Sequence, residues 1–152
     1  MSISRTMGGL LLAGLFSISI ISCKDDDDED LDVYIQSVEV LNTVSSTGDP
    51  FSDADLRVDL KRASVSNYEY STNVSQDNAT LPVTLSFPNE ILATQENWII
   101  RLVDDNGSDF PSGDDEEIYT VTFNPTVNIN SNDEIILKVN TLDALRINVQ
   151  QR

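Results

Sequence analysis

The sequence predicts an all-β domain, an antiparallel eight-stranded β-sandwich, behind a secretory leader and an acidic tether. Apolar and polar residues alternate along most of the domain, which is the period-two pattern of strands that bury one face. Turn residues separate these runs at nearly regular spacing, as is typical of a sandwich. The only cysteine of the chain ends an apolar segment near the N-terminus, and an acidic run follows it. The chain therefore divides into a leader, a tether and one domain.

The leader is assigned to residues 1–22. Arg5 is the single cationic side chain ahead of an apolar and small-residue run from Met7 to Ser22. This is the pattern of a secretory signal, and the run is too short to predict a membrane-spanning helix. Its ending, Ile20-Ile21-Ser22-Cys23, resembles the lipobox of bacterial lipoproteins, which implies cleavage before Cys23 and acylation of Cys23. The alternatives are an uncleaved signal anchor and a chance cysteine in an ordinary signal peptide.

The tether is assigned to residues 23–32 and contains the acidic run from Asp25 to Asp30. A cysteine followed by such a run resembles the surface-export signal of some Gram-negative lipoproteins. The resemblance implies an outer-membrane lipoprotein that is exposed on the cell surface and held to the membrane by its N-terminal lipid. The alternative is a solvated, self-repelling tether that no receptor reads.

Composition excludes several classes of function. The formal net charge is −17, so nucleic-acid binding is not expected, because a polyanion needs a basic surface. The chain has no histidine, which excludes Ser-His-Asp and Cys-His catalysis and the usual zinc sites. Paired carboxylates could still act as acid and base, but no carboxylate stands in an apolar sequence context. A non-enzymatic function is therefore expected.

Eight runs in the domain, residues 33–152, carry the strand pattern. Their apolar positions are Val38 and Val40; Leu56, Val58 and Leu60; Tyr68 and Tyr70; Val83, Leu85 and Phe87; Trp98, Ile100 and Leu102; Tyr119, Val121 and Phe123; Ile135, Leu137 and Val139; and Leu145, Ile147 and Val149. Pro82 stands at the start of the fourth run, where a missing N–H is tolerated. The only helix candidate is the stretch from Asn89 to Gln95.

The order of these pieces resembles a known family. A Leu-Pro-Val strand within 80–87 precedes the aliphatic strand that starts at Trp98, and Asp104-Asp105-Asn106-Gly107 follows it. A second acidic run, 114–117, leads into the strand that ends at Phe123. This order resembles the C-two domain, the calcium- and phospholipid-binding sandwich of synaptotagmins and protein kinase C. A generic immunoglobulin-like sandwich is the alternative.

The resemblance implies a calcium site, because in that family two loops at one end of the sandwich supply aspartates to calcium. Matched residue by residue, Asp49 and Asp53 belong to the first loop, and Asp104, Asn106 and either Asp115 or Glu116 to the third. Asn106 stands where an aspartate is usual, but its carbonyl oxygen can still bind calcium. The full set of candidate ligands is Asp49, Asp53, Asp55, Asp104, Asn106, Asp115 and Glu116.

The spacing of the carboxylates also favours calcium, independently of the resemblance to C-two domains. If both acidic loops lie at one end of a sandwich, their like charges repel by about 1 kcal/mol per pair at ~4 Å in bulk water, and more near a protein surface. A divalent cation would turn this repulsion into attraction. The alternative is that the loops stay apart and hydrated and keep a secreted protein soluble.

Two aromatic residues within the acidic loops predict a contact with lipid or ligand. Phe51 lies in the first loop and Phe110 in the third, where C-two domains often carry a residue that enters lipid. The alternative is that each ring packs under its own loop. For Trp98 and the tyrosines we expect burial on a strand face, with a sugar-stacking platform as the alternative.

Two functional hypotheses follow. The first is a lipid-anchored surface binding module whose acidic loops bind calcium and contact an anionic lipid, glycan or protein. The second is a structural or accessory lipoprotein, such as a glycan-uptake partner or a protein inhibitor, with no metal dependence.

Overall fold

The computed structural model of the chain describes residues 32–44, 54–75, 79–105 and 115–152. These residues form two four-stranded antiparallel sheets that enclose a single cluster of buried apolar side chains. The predicted all-β antiparallel sandwich is confirmed at this level. The leader, Cys23 and the acidic run of the tether lie outside the described residues.

The eight strands of the described ranges are divided equally between the two sheets. They are β1 (Val33–Val40), β2 (Leu56–Arg62), β3 (Tyr70–Ser71), β4 (Val83–Ala93), β5 (Trp98–Asp104), β6 (Glu116–Phe123), β7 (Glu134–Val139) and β8 (Leu142–Gln151). The first sheet has the order β4-β1-β8-β7, and the second has the order β3-β2-β5-β6. Edge strands β3 and β4 contact each other at one side of the sandwich, and edge strands β6 and β7 do so at the other.

The period-two pattern explains most strands but not all of β2. In β1, Val38 and Val40 are fully buried while Glu39 between them is partly exposed, as expected for a strand with one face in the core. In β2, every residue from Leu56 to Leu60 is buried. The outward positions Arg57 and Asp59 are thus withdrawn from solvent as well, and a buried charge needs a partner.

The predicted helix at 89–95 is wrong, because β4 continues as a strand to Ala93. Its last part is held by tertiary pairing, with Ile91 opposite Ile35 and Ala93 opposite Val33. Between the pairs Ser37–Ser86 and Ile35–Ile91, β1 supplies only Gln36, while β4 supplies residues 87–90. This stretch is a bulge in β4, and it contains Pro88, which cannot donate to a ladder.

The helix in the described part of the chain, α1 (Pro125–Asn128), follows a capping asparagine. Asn124 Oδ1 accepts a hydrogen bond from the Thr126 N–H at 3.1 Å, and Pro125 occupies the first turn, where its missing N–H costs nothing. Among the described residues, no helix is long and apolar enough to cross a membrane.

Candidate functional site

The three connections β1–β2, β3–β4 and β5–β6 reach the sandwich at the same end. Leu56, which begins β2, pairs with Asp104, which ends β5, and Glu116, which begins β6, pairs with Asp104 from the other side. Ser75, which follows β3, accepts from the Leu56 N–H through its Oγ and donates its own N–H to the Leu56 carbonyl, both at 2.8 Å. We call this region, defined by Asp55, Asp104, Asp105, Asp115 and Glu116, the acidic end.

Two of the predicted calcium ligands are in direct contact at the acidic end. The Asp55 N–H donates to Asp104 Oδ1 at 3.0 Å, and the Asp105 N–H donates to the Asp55 carbonyl at 2.8 Å. These bonds join the start of β2 to the end of β5. They place the described ends of the first and third acidic connections side by side.

The other predicted ligands are divided between the acidic end and the undescribed segments. Glu116 is exposed beside Asp104, and Asp115 precedes it. Asp49, Asp53 and Asn106, together with the aromatic candidates Phe51 and Phe110, lie outside the described residues. Within the described ranges, no group of three or more acidic, cysteine or histidine side chains is arranged to hold a metal ion. The metal and lipid assignments of these residues stay predictions.

A buried ionic cluster that the sequence did not reveal shares Asp105 and Asp115 with the acidic end. We call it the Arg57 cluster; its members are Arg57, Asp59, Arg101, Asp105 and Asp115. Arg57 is 3 % exposed and donates from Nε to Asp59 Oδ1 at 3.0 Å. Its other nitrogens form ion pairs with Asp105 and Asp115. Arg57 therefore binds the residues that directly precede and follow the segment 106–114.

Asp59 is the fully buried centre of this cluster. Besides Arg57, it accepts from Ser71 Oγ at 2.9 Å and from Arg101 Nε at 2.9 Å. Burial by itself lowers the pKa of Arg57, but the hydrogen bonds to Asp59 and Asp115 outweigh it and raise the pKa above its usual value. Arg57 therefore stays charged at every pH at which the protein is folded.

The Arg57 cluster holds more negative than positive charge. Two guanidinium groups face three carboxylates, and Arg57 engages only Oδ2 of Asp115. Asp115 Oδ1 is buried and has no hydrogen-bond partner in the part of the chain that the structure describes. A buried carboxylate oxygen of this kind is an acceptor suited to a cation, since buried charges are paired or coordinate metals.

Tyr119 contacts Asn42, which lies in the described start of the β1–β2 connection. Its hydroxyl lies 3.1 Å from the Asn42 carbonyl oxygen and 3.4 Å from that of Ala144, so β6 of the second sheet is tied to the first sheet. Burial raises the pKa of the Tyr119 hydroxyl, which therefore remains a neutral donor. Asn42 in turn accepts the Val44 N–H through Oδ1 at 3.1 Å.

Replacing Tyr119 by phenylalanine is expected to lower the free energy of unfolding by about 1 kcal/mol, because one buried hydrogen bond is lost while the ring still packs. Urea unfolding measures this change as a lower midpoint with an unchanged slope. An unchanged midpoint would show that the hydroxyl does not tie the sheets together.

Most aromatic side chains in the described ranges are buried in the core or lie against a cation. Trp98 is 1 % exposed, which confirms the expected burial on a strand face. Tyr34 lies under Arg152, with the guanidinium carbon 3.9 Å from the ring centroid, and Tyr68 lies under Arg101 at 4.1 Å. Cations therefore cover these two half-buried rings.

Two comparisons with known proteins found no match. No protein-family model matches the sequence, and no curated protein matches it. The function of the acidic end must therefore be inferred from the residues that form it.

Proposed function

We propose that this protein is a lipid-anchored, non-enzymatic binding module of the outer-membrane surface of a Gram-negative bacterium. Its domain is C-two-like, and its acidic end binds calcium and contacts an anionic lipid, glycan or protein. The observation that carries the proposal is the direct contact of Asp55 with Asp104. It brings the ends of two acidic connections, distant in sequence, to one place.

The chemistry of the donors fits calcium. Calcium binds six to eight oxygen ligands, including carboxylates and backbone carbonyls. Asp104 and Glu116 supply carboxylates at the acidic end, and the buried Oδ1 of Asp115 supplies another oxygen that accepts no hydrogen bond from the described residues. Asp49, Asp53 and Asn106 would complete the ligand set. The excess negative charge of the Arg57 cluster adds to the attraction for a cation.

In this proposal the anchor keeps the domain near a membrane but does not position the acidic end, because the tether joins the domain at Val33, the end of β1 opposite the β1–β2 connection. Acylated Cys23 would hold the domain close to a membrane, where calcium bound at the acidic end could bridge to an anionic group. Phe51 and Phe110, one in each acidic segment, would add apolar contact area at the same end.

Calcium is expected to raise the melting temperature of the protein. Extracellular calcium modules bind at about 0.1 to 1 mM, so a few millimolar calcium should stabilise the folded state by on the order of 1 to 2 kcal/mol. Thermal unfolding of the purified chain with and without calcium measures the effect, and magnesium at equal concentration controls for ionic strength. An equal response to both ions would contradict a calcium site.

Matched variants locate the effect at the acidic end. The double change Asp104→Asn and Glu116→Gln is expected to abolish most of the calcium response, while the amide introduced at position 104 keeps an oxygen that can accept the Asp55 N–H. Glu117→Gln removes the same kind of charge from an exposed neighbour and should keep the response. A stabilisation that persists in the double variant would place calcium elsewhere.

The net charge of −17 favours a second candidate, an accessory lipoprotein whose acidic surface is itself the interface. In that case a partner captured from outer membranes would be released by salt, because exposed charges are screened. Calcium would change neither the capture nor the melting temperature.

A further inference from the structure

A groove of about 360 Å³ opens where edge strands β3 and β4 face each other. Residues 69–71 form one wall, and residues 87–91, which include the bulge of β4, form the other. Toward the acidic end the groove is closed by two bonds between the sheets, from the Asn73 N–H to the Ser86 carbonyl at 3.1 Å and from the Ser86 N–H to Asn73 Oδ1 at 2.8 Å. Bulges are frequent beside functional sites because they redirect side chains.

The two carboxylates of the groove are fixed and neutralised. Glu69 accepts from Arg62 Nε at 2.9 Å, and this contact lowers the pKa of Glu69. Glu90 accepts from Gln36 Nε2 at 3.0 Å and pairs with Arg152. Each wall therefore presents an oriented polar group without net charge. A neutral ligand with several hydroxyl groups fits this better than an ion does.

Apolar and aromatic surface lies directly beside these polar groups. Tyr70 is half-buried, Phe87 and Ile91 are largely buried, and Pro88 presents an exposed ring. Asn89, also exposed, offers an amide at the rim that can both donate and accept. A sugar ring has the matching character, since its C–H face packs on rings while its hydroxyls bind planar polar side chains.

A peptide strand fits the groove less well. Addition of a strand requires a row of free backbone groups along a sheet edge. Here β3 has only two residues, Asn73 already binds the edge of β4 at Ser86, and Pro88 lacks an N–H. The free edge is too short and too interrupted to bind a strand through its main chain.

We propose that this groove binds a neutral saccharide of one or two hexose rings. A volume of about 360 Å³ is at the lower end of the range for small-molecule sites. The proposal does not depend on calcium, because the groove shares no residue with the acidic end. Failure of the calcium experiment would leave it unchanged.

Trp98 provides a built-in probe for this site. It is the only tryptophan of the chain, and its ring centroid is 6.1 Å from that of Tyr70, which lines the groove. Titration of the purified chain with glucose, mannose, cellobiose, maltose and lactose is expected to change Trp98 fluorescence for at least one sugar. Half-saturation is expected on the order of 1 mM, as suits a small open site. The same titration followed by amide NMR should shift residues 69–71 and 87–91.

Asn89→Ala is the test variant, because the side chain is exposed and its loss should not disturb folding. Loss of one hydrogen bond is expected to weaken binding about fivefold. Asn132→Ala, an equal change at an exposed turn before β7, should leave binding unchanged. The proposal is overturned if no sugar of the panel changes the fluorescence or the amide shifts. It is also overturned if Asn89→Ala and Asn132→Ala bind equally well, or if a proline-rich peptide saturates the groove where the sugars do not.

Discussion

Replacing Arg57 by glutamine is expected to lower the free energy of unfolding by about 3–5 kcal/mol, the usual result of removing one partner from a buried ion pair. The variant leaves Asp59, Asp105 and Asp115 withdrawn from water with Arg101 as the one remaining cation of the cluster. Buried carboxylates without a partner are costly. A loss of this size approaches the whole stability of many single domains.

Arg62→Gln is the matched control for this prediction. Arg62 lies on the same strand and also pairs with a carboxylate, Glu69, but its side chain is 40 % exposed. An exposed pair contributes about 0–1 kcal/mol, so the urea midpoint should move little. Equal midpoints for the two variants would show that burial of the Arg57 cluster does not decide its effect on stability.

Replacing Cys23 by serine is expected to move the protein from the membrane fraction to the soluble fraction. A single acyl chain holds a protein only marginally, and two or more hold it stably, at about 0.8 kcal/mol per buried CH₂ group. The rest of the chain is strongly acidic and would not associate with anionic lipid by itself. Cell fractionation measures the loss, and mass spectrometry of the unaltered protein should show an N-terminal cysteine with lipid attached.

A control variant separates anchoring from export. Changing the acidic residues from Asp25 to Asp30 to their amides keeps Cys23, so the protein should remain in the membrane fraction. Its accessibility to protease on intact cells should fall if the acidic run directs it to the outer face. An unaltered protein that keeps its leader and carries no lipid would point instead to an uncleaved signal anchor.

The fold could be predicted because alternation in the strands is a local signal. Val38 and Val40, or Ile135 and Leu137, face the core at the positions their spacing gives. The end of β4 could not be predicted in this way. Glu90, Leu92 and Ala93 are good helix formers, but pairing of Ile91 and Ala93 with β1 outweighs that preference, as tertiary context commonly does.

The candidate site was predictable only in part, because contacts between distant parts of the chain leave no local pattern in the sequence. The resemblance to C-two domains predicts that the first and third acidic loops lie at one end, and the structure brings Asp55, at the described end of the first, against Asp104. Alternation also places Arg57 and Asp59 on the face opposite the apolar residues, with opposite charges two positions apart. That they are buried depends on Asp105 and Asp115, which lie 48 and 58 residues from Arg57, and no local pattern records such a distance.

Arg57 pairs with both Asp105 and Asp115, and so holds together the two residues that flank the segment 106–114. Because the sheet fixes these two residues, the insertion of further residues between them is expected to cost little, since loop closure costs only about 0.6 kcal/mol more for each doubling of loop length. Changes in sequence between Asp105 and Asp115 are therefore expected to leave the sandwich unchanged.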